Sequence, residues 1–506
     1  MSKTAGRGMS PEGIRAGYIA VLAVASVLYV ASCAPGVLWQ DSGLIQYRVW
    51  HNDIEGNLGL ALAHPLFYII AIATKYIPLG EFGYRVNLTN ALISAFAVAN
   101  LFLLLALWLR SALPALVGAL SLALSHTFWQ HAAMPEVYNL SMALLLLELV
   151  ILFQYAKTEQ LRWLYGLAFV NGLATANHMF ASIPLACYFV LLVMLLFRKL
   201  VTGRQIVIMA VLWILGAGPY EWLIIKHIVA GEGFRQTISS AVFGVSYKQN
   251  VLNVSLSGRI IKENLMWIAL NFPTPNALLA FVGISAIRSS CRKRWFANII
   301  LALSALFLLF AFRYTVVDRY VFFIPFYCML SILIGVGAAR FLSRRRNKVI
   351  GRAMIVLCLL TIPAYIAAPA VAERLKVMTR PRTIPHRNDY TYFLRPWKTG
   401  DGGAEQFAVE VFNLVELNAV ILADPTTSPP LLYLQEVKAD RPDVWIISVI
   451  GSTAGAPRLD GQTIDKLLAE RAVYVVSPVK GYCPAFLLDG RFTFEQAGPV
   501  WRVTPK

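Results

Sequence analysis

Charge is what this chain has least of. Asp, Glu, Lys and Arg make up 14% of its 506 residues, while hydrophobic side chains make up 58%. A soluble domain carries roughly 25% charge. At a mean hydropathy of +0.61, no soluble interior is large enough for so many apolar side chains. The same figures exclude disorder and collagen, and no heptad run is long enough for a fibrous coil. Cysteine is sparse and unpatterned. Cys33, Cys187, Cys328 and Cys358 fall in apolar stretches, Cys291 in a basic loop and Cys483 near the C-terminus. No CxxC pair or Cys/His metal spacing occurs, so the six read as small core hydrophobes. Internal repeats and low-complexity tracts are missing too. Acids are scarcer than bases, 27 against 45, for a formal charge of +18. Such an excess points either to nucleic acid or to membrane topology.

What is present is a series of apolar runs. A membrane-spanning helix needs about 20 apolar residues, and such runs occur near 16–34, 87–109, 111–129, 137–156, 163–177, 179–197, 205–227, 264–287, 295–312, 320–342 and 350–372. Residues 163–197 must be two spans, because Asn177-His178 breaks the middle and basic residues flank both ends. Ten more spans follow the first, which is therefore expected to be a span and not a cleaved signal peptide. Residues 58–78 keep only a short apolar core, Leu66 to Ala73, and are expected to lie in the interface or dip into it.

Eleven spans with the N-terminus inside put every strong basic cluster on one side. These are Lys3/Arg7/Arg15, Arg110, Lys157/Arg162, Arg198/Lys199/Arg204, Arg288/Arg292/Lys293/Arg294 and Arg340/Arg344/Arg345/Arg346/Lys348/Arg352. They hold nineteen bases against two acids, Glu12 and Glu159. Nearly all of the +18 is thus a cytoplasmic retention charge, which needs no nucleic-acid partner. From residue 373 ordinary charge and turn residues return. Apolar strands (Ala419–Ala423, Val444–Val449, Ala472–Val476) alternate with helical patterns (Glu405–Leu414, Leu431–Glu436, Thr463–Glu470). The sequence therefore predicts a polytopic α-helical membrane domain, 1–372, and a small α/β domain, 373–506, on the outer face.

The outer segments, 35–86, 130–136, 177–178, 228–263 and 313–319, hold Asp41, Arg48, His51, Asp53, Glu55, His64, Arg85, Glu136, His178, Arg313, Asp318 and Arg319. Ionisable groups at the ends of apolar helices are costly and mark function. A transporter places them near the bilayer midplane beside broken helices. Here only Glu148 lies deep in a span, where it is expected to make an interhelical hydrogen bond. Acids, histidines and arginines at the membrane–water junction suit an enzyme acting on a lipid-linked substrate at the outer leaflet. A transporter or flippase and a non-catalytic scaffold are the rival readings.

Trp39-Gln40-Asp41-Ser42-Gly43, Leu58-Gly59 and Ala63-His64-Pro65 resemble the "DSGE … LG … HPPG" opening of the bacterial protein O-mannosyltransferase-like family, within the C-type (GT-C) glycosyltransferase superfamily. Phe128-Trp129, Pro135-Glu136-Val137-Tyr138, Gly172-Leu173, Asn177-His178, Gly218-Pro219-Tyr220, Gly231-Glu232-Gly233-Phe234, Asp318-Arg319-Tyr320, Pro325, Ala419–Leu422 and Arg441–Val444 continue the resemblance in order. It covers most of the chain, and its specificity lies in the ordered set. Two departures fall in the first outer loop: Leu44 replaces the family acid, and "HPPGYPL" is shortened to His64-Pro65-Leu66.

The resemblance implies a GT-C-type fold of about 11 transmembrane helices with interfacial helices. It also implies inverting transfer of a sugar from a polyprenyl-phosphate carrier to an acceptor hydroxyl, on secreted protein Ser/Thr or on a lipid or polysaccharide. Asp41 is the expected general base, against the plain reading of an Asp opening a turn. Asp53 and Glu55 are spare acids or a solvated helix face. Arg48, His64, Arg85, His178, Arg313 and Arg319 are candidates for the leaving phosphate. Asp318 either joins the site or pairs with Arg313 or Arg319. Glu136 and Tyr138 meet the bilayer surface together, where Tyr also has an ordinary anchoring role. Residues 228–263 either cover the substrate or rest on headgroups. No metal motif is visible. A divalent ion on Asp41 with Glu136 or Asp318 is the lesser alternative to a metal-free site.

Overall fold

The computed structural model describes residues 8–245, 247–316, 318–345, 348–378 and 382–506. Lys3, Arg7 and Arg346, counted in the basic clusters above, lie outside the described residues. Helix α1 (Pro11–Ser32) starts on the Ser10 hydroxyl, which caps the Gly13 amide at 3.1 Å. A polar loop carries α2 (Gln40–Trp50) and α3 (Pro65–Ile72) before the long α4 (Phe82–Leu109). Then come α5 (Ala112–Ala123), α6 (His126–Ala132), α7 (Tyr138–Thr158), α8 (Leu161–Asn177), α9 (Ser182–Phe197) and α10 (Gly203–Val229). Short helices α11 (Phe234–Phe243) and α12 (Lys248–Leu252) lead to α13 (Gly258–Asn271), α14 (Leu279–Ser290), α15 (Arg294–Arg313), α16 (Ile324–Arg345), α17 (Lys348–Leu359) and α18 (Thr361–Arg374).

Among the described residues eight helical stretches are long and apolar enough to cross a membrane: α1, α4, α7, α9 with its leading turn, α10, α15, α16 with its leading turn, and α17–α18. Expected runs 111–129 and 264–287 are not straight crossings: α5–α6 bends by 70° and α13–α14 by 110°. Pro273 and Pro275 stop α13. The polar groups freed at both breaks satisfy each other: the Thr127 amide donates to Asn271 Oδ1 at 2.8 Å, and Asn271 Nδ2 donates to the Thr127 hydroxyl at 3.0 Å. Inside a bilayer such groups must find partners within the protein. Helix α8, at 17 residues, covers the run 163–177. The segment 58–78 forms α3 between two 3-10 turns, Leu60–Leu62 and Ala73–Tyr76, and is too short to cross.

Close helix pairs rest on glycine. A Cβ on Gly172 would lie 2.2 Å from the Trp213 carbonyl of α10, and one on Gly216 2.3 Å from the Phe169 carbonyl of α8. Small residues let backbones approach in this way where the lipid supplies no hydrophobic drive. Helices α4, α7 and α16 are largely buried, whereas α1, α9 and α10 expose Val24, Val27, Phe189, Val190 and Leu215, as lipid-facing helices do.

The C-terminal residues add α19 (Asp389–Leu394), α20 (Gly403–Leu414), α21 (Ser428–Val437) and α22 (Thr463–Glu470) around a five-stranded sheet. Its order is β2 (Trp445–Ile447), β1 (Val420–Leu422), β3 (Val473–Val475), β5 (Val500–Pro505), β4 (Phe492–Ala497). The first three are parallel and lie inside the three apolar strands expected from the sequence. The antiparallel β4–β5 hairpin turns at Gly498, φ +57°; the sequence reading did not anticipate it. Helix α21 packs on α2, so the sheet domain rests on the first polar loop.

Candidate active site

The segments expected on the outer side do meet at one end of the bundle. His64 stacks on His178 with ring centres 5.0 Å apart, and Ser42 reaches Glu136. Leu60 is held by Ser240, and Asn253 Nδ2 donates to the Arg313 carbonyl at 2.7 Å. At the other end Met9 bonds to Arg110, and Lys293 pairs with Glu159.

Asp41 sits in the first turn of α2, where the partial positive charge of the helix start favours a carboxylate. The next two residues fix its place. The Ser42 hydroxyl donates to Glu136 Oε1 at 3.2 Å. Gly43 is pressed so close that a Cβ would lie 2.2 Å from the Leu38 carbonyl and 2.9 Å from Pro429 Cβ. Only glycine allows this approach.

Asp41, Glu136 and Asp318 share one electrostatic neighbourhood. Asp41 is open to solvent yet closely surrounded by protein. Burial, then the negative charge of Asp318, lifts its carboxyl to about 6. Glu136 is buried and pushed well above the carboxylate range by desolvation, then by Asp41 and Asp318, with the Ser42 hydroxyl opposing. Desolvation raises Asp318 too. Tyr68 and Tyr320 lie in the field of Asp41 and Glu136, and so does Tyr392 of α19. Tyr138 stands 5.5 Å from His178, ring to ring.

The cations are placed differently from what the sequence suggested. Arg48 lies 3.8 Å over the Tyr68 ring, 3.3 Å from Asp53, and donates to the Ala63 carbonyl; through Tyr68 it borders the acids. Arg85 donates to the Lys75 and Ile77 carbonyls at 3.2 and 2.7 Å, closing the turn after α3. Arg319 turns to α13, pairing with Glu263 and donating to Asn264 Oδ1 at 2.7 Å. Arg313 binds the Val251 and Asn253 carbonyls. The alternative in which Asp318 pairs with Arg313 or Arg319 is not found among the described residues, where residues 251–264 supply both arginines with acceptors. The histidines are not cations either. Desolvation holds His64 down at about 4 and His178 well below its ordinary value, so both are neutral near pH 7.

Glu55 joins Lys226 and His227 of α10 and stands apart from the acid group. Glu148 makes the interhelical bonds expected, accepting from Tyr188 at 2.9 Å and Asn171 at 3.1 Å. Residues 234–245 pack on the 3-10 turn Leu60–Leu62, with Gly59 at φ +97° against the Val245 amide. Among the described residues no group of three or more His, Cys, Asp or Glu has the arrangement of a metal site.

The sequence reading missed the buried amides that hold this end together. Gln46 Nε2 donates to Gly36 O, Gly83 O and Asn87 Oδ1. Asn90 Nδ2 donates to His131 O at 2.9 Å and Glu136 O at 2.6 Å. Asn139 and Asn177 hold Phe128 O and Val137 O at 3.1 and 2.9 Å. The available signal was asparagine near the ends of otherwise apolar runs, where an unpaired amide is expensive.

Residues 60–202 match the family model for the protein O-mannosyl-transferase TMEM260 N-terminal domain. No curated protein matches the chain. Among solved structures it is similar to ArnT from Cupriavidus metallidurans bound to undecaprenyl phosphate, at a TM-score of 0.58 and 14% identity, with 98% of each chain covered. It is also similar to the oligosaccharyltransferase AglB from Archaeoglobus fulgidus, at TM-score 0.46 and 12% identity, over 97% of this chain and 74% of AglB. The arabinofuranosyltransferase AftD from mycobacteria gives 0.48 and 14%, over 97% of this chain and 40% of AftD. The chain thus shares the fold of ArnT over nearly its whole length, and its residues 60–202 match the protein O-mannosyl-transferase TMEM260 N-terminal domain model.

Proposed function

We propose that this protein is an inverting glycosyltransferase that moves a sugar from a polyprenyl-phosphate carrier to an acceptor hydroxyl on secreted protein Ser/Thr. The observation that carries the reading is the solvent-open Asp41, raised to about 6 and set beside Glu136 and Asp318. A carboxylate tuned near the working pH is suited to general-base work. In this reaction Asp41 takes the proton as the acceptor oxygen attacks the anomeric carbon. The bond from that carbon to the phosphate oxygen breaks, and its electron pair leaves with the polyprenyl phosphate. Glu136 accepts a hydrogen bond from the Ser42 hydroxyl and so steadies α2. Arg48 is the cation best placed to meet the phosphate, through its position over Tyr68. His64 and His178, being neutral, contribute hydrogen bonds and shape instead of charge.

A groove of about 790 Å³ between α8, α9 and α10 supports the lipid-linked donor. Its lining is almost wholly apolar, and it begins at Ser182, one helical turn from His178. ArnT, which shares the fold over nearly the whole chain, is bound to undecaprenyl phosphate. The positive-inside pattern supports an inner-membrane orientation with the N-terminus cytoplasmic and residues 373–506 on the periplasmic side. Purified protein in nanodiscs, given radiolabelled polyprenyl-phosphate hexoses and Ser/Thr peptides, tests the proposal. Transfer of label to peptide is expected. Transfer to added glycolipid or polysaccharide and not to peptide would move the acceptor class, and no transfer to either would refute the enzyme.

A further inference from the structure

Gln40, immediately before Asp41, has a left-handed backbone at φ +55°. Residues with a Cβ avoid that region, so surrounding contacts must hold it. Two such contacts come from the C-terminal residues. The Gln40 amide donates to the Thr426 carbonyl at 3.2 Å. Its side-chain Oε1 accepts from Arg387 Nη1 at 3.4 Å.

Both holders are themselves fixed. Thr426 lies in the turn after β1, where Asp424 accepts from the Thr426 amide at 2.9 Å and the Thr427 hydroxyl at 2.8 Å. Arg382 pairs with both oxygens of the same carboxylate at 2.8 and 2.7 Å. The Arg387 side chain is 5% exposed and donates to Asp389 at 2.8 Å. Its guanidinium carbon lies 4.7 Å from the Tyr392 ring centre and 5.7 Å from that of Trp39. On the far side of Asp41, Pro429 of α21 closes on Gly43. The polar loop is therefore gripped on both flanks of Asp41 by the sheet domain.

We propose that Arg387 and the Thr426 carbonyl are positioning groups that hold Gln40 left-handed and so aim the Asp41 carboxylate. This rests on the reading of Asp41 as base. It gives the C-terminal domain a task within the reaction: its docking sets the geometry of a site it does not itself supply with a base.

The test compares full-length Q40A, Q40G, R387A and R387A/Q40G in nanodiscs, with D41N as reference. Glycine adopts the left-handed conformation unaided, whereas alanine does not. Q40A and R387A should lower kcat on the order of tenfold to a hundredfold, with the donor KM within about twofold. Q40G should stay near wild type, and Q40G should restore most of the kcat lost in R387A. Q40A as active as Q40G, or a double variant no better than R387A, would overturn the proposal. So would a raised KM at unchanged kcat in R387A, which would mean substrate contact. If R387A does not fold, the Q40A/Q40G order decides alone. The base reading fails separately if D41N matches wild type. In that case thermal midpoints decide the remainder: Q40G above Q40A upholds the held left-handed turn, and the reverse order refutes it.

Discussion

Replacing Asp41 by Asn should remove activity and stabilise the protein together. The chemical loss is that of a general base, about a hundredfold to ten-thousandfold in kcat. The gain in stability follows from the pKa. Burial and Asp318 raise the carboxyl from an ordinary 3.8 to about 6, so the folded protein prefers the protonated form. A raised folded-state pKa favours folding below the unfolded value near 4, and that contribution is lost as pH rises through 6. At pH 7.5 the ionised group therefore costs stability. The full shift corresponds to about 3 kcal/mol. The side chain is open to solvent, and screening reduces this to on the order of 1 kcal/mol. D41N cannot ionise, so its thermal midpoint at pH 7.5 should exceed that of wild type by a few degrees. The difference should vanish near pH 4. The kcat/KM of wild type should climb with pH and level off above about 6, because the base must be ionised. The three acids titrate as a coupled group, so that inflection belongs to the cluster. Differential scanning fluorimetry and radiolabel transfer across pH 4.5–8.5 measure both quantities. A D41N protein that keeps a tenth of wild-type activity, or melts below wild type at pH 7.5, would refute the reasoning.

Three further outcomes follow from the same end of the bundle. His64 and His178 are neutral near pH 7, so H64Q and H178Q should keep the activity inflection near pH 6, and its loss in kcat/KM profiles would show that a histidine supplies it. Asn90→Ala leaves the His131 and Glu136 carbonyls without their buried donor, and should cost about 1–3 kcal/mol in chemical unfolding together with a fall in kcat. Gly43→Ala has no room against Leu38 and Pro429. It should displace α2 and abolish transfer even where size-exclusion profiles remain normal; wild-type kcat in G43A would contradict the packing described.

How much of this was legible varies from residue to residue. The runs around 87–109 and 137–156 reappear as α4 and α7, because length and hydropathy alone decide whether a helix can cross a bilayer. The run 264–287 is apolar enough, but its prolines bend it by 110°, and hydropathy carries no direction. Glu136 stood out because an acid at the end of an apolar helix is conspicuous, and Asp41 because the first outer loop resembles the family's opening motif. Arg85 and Arg319 sit at helix ends too, yet the structure gives Arg85 the carbonyls of the preceding turn and Arg319 a glutamate 56 residues away. Charge at a position reads from sequence; the partner does not.

The sequence by itself determined that the chain is a polytopic membrane protein with a mixed α/β tail, and in which segments of the chain its excess positive charge is concentrated. Those properties follow from local composition, since each span has to satisfy the bilayer on its own. Only the tertiary structure decided that Asp41, Glu136 and Asp318 lie in one another's field, that desolvation keeps His64 and His178 uncharged, and that α21 and Arg387 grip the loop bearing Asp41. Those properties depend on desolvation and on contacts between residues 94 to 347 positions apart, such as Ser42 with Glu136 and Gln40 with Arg387. No local pattern encodes them.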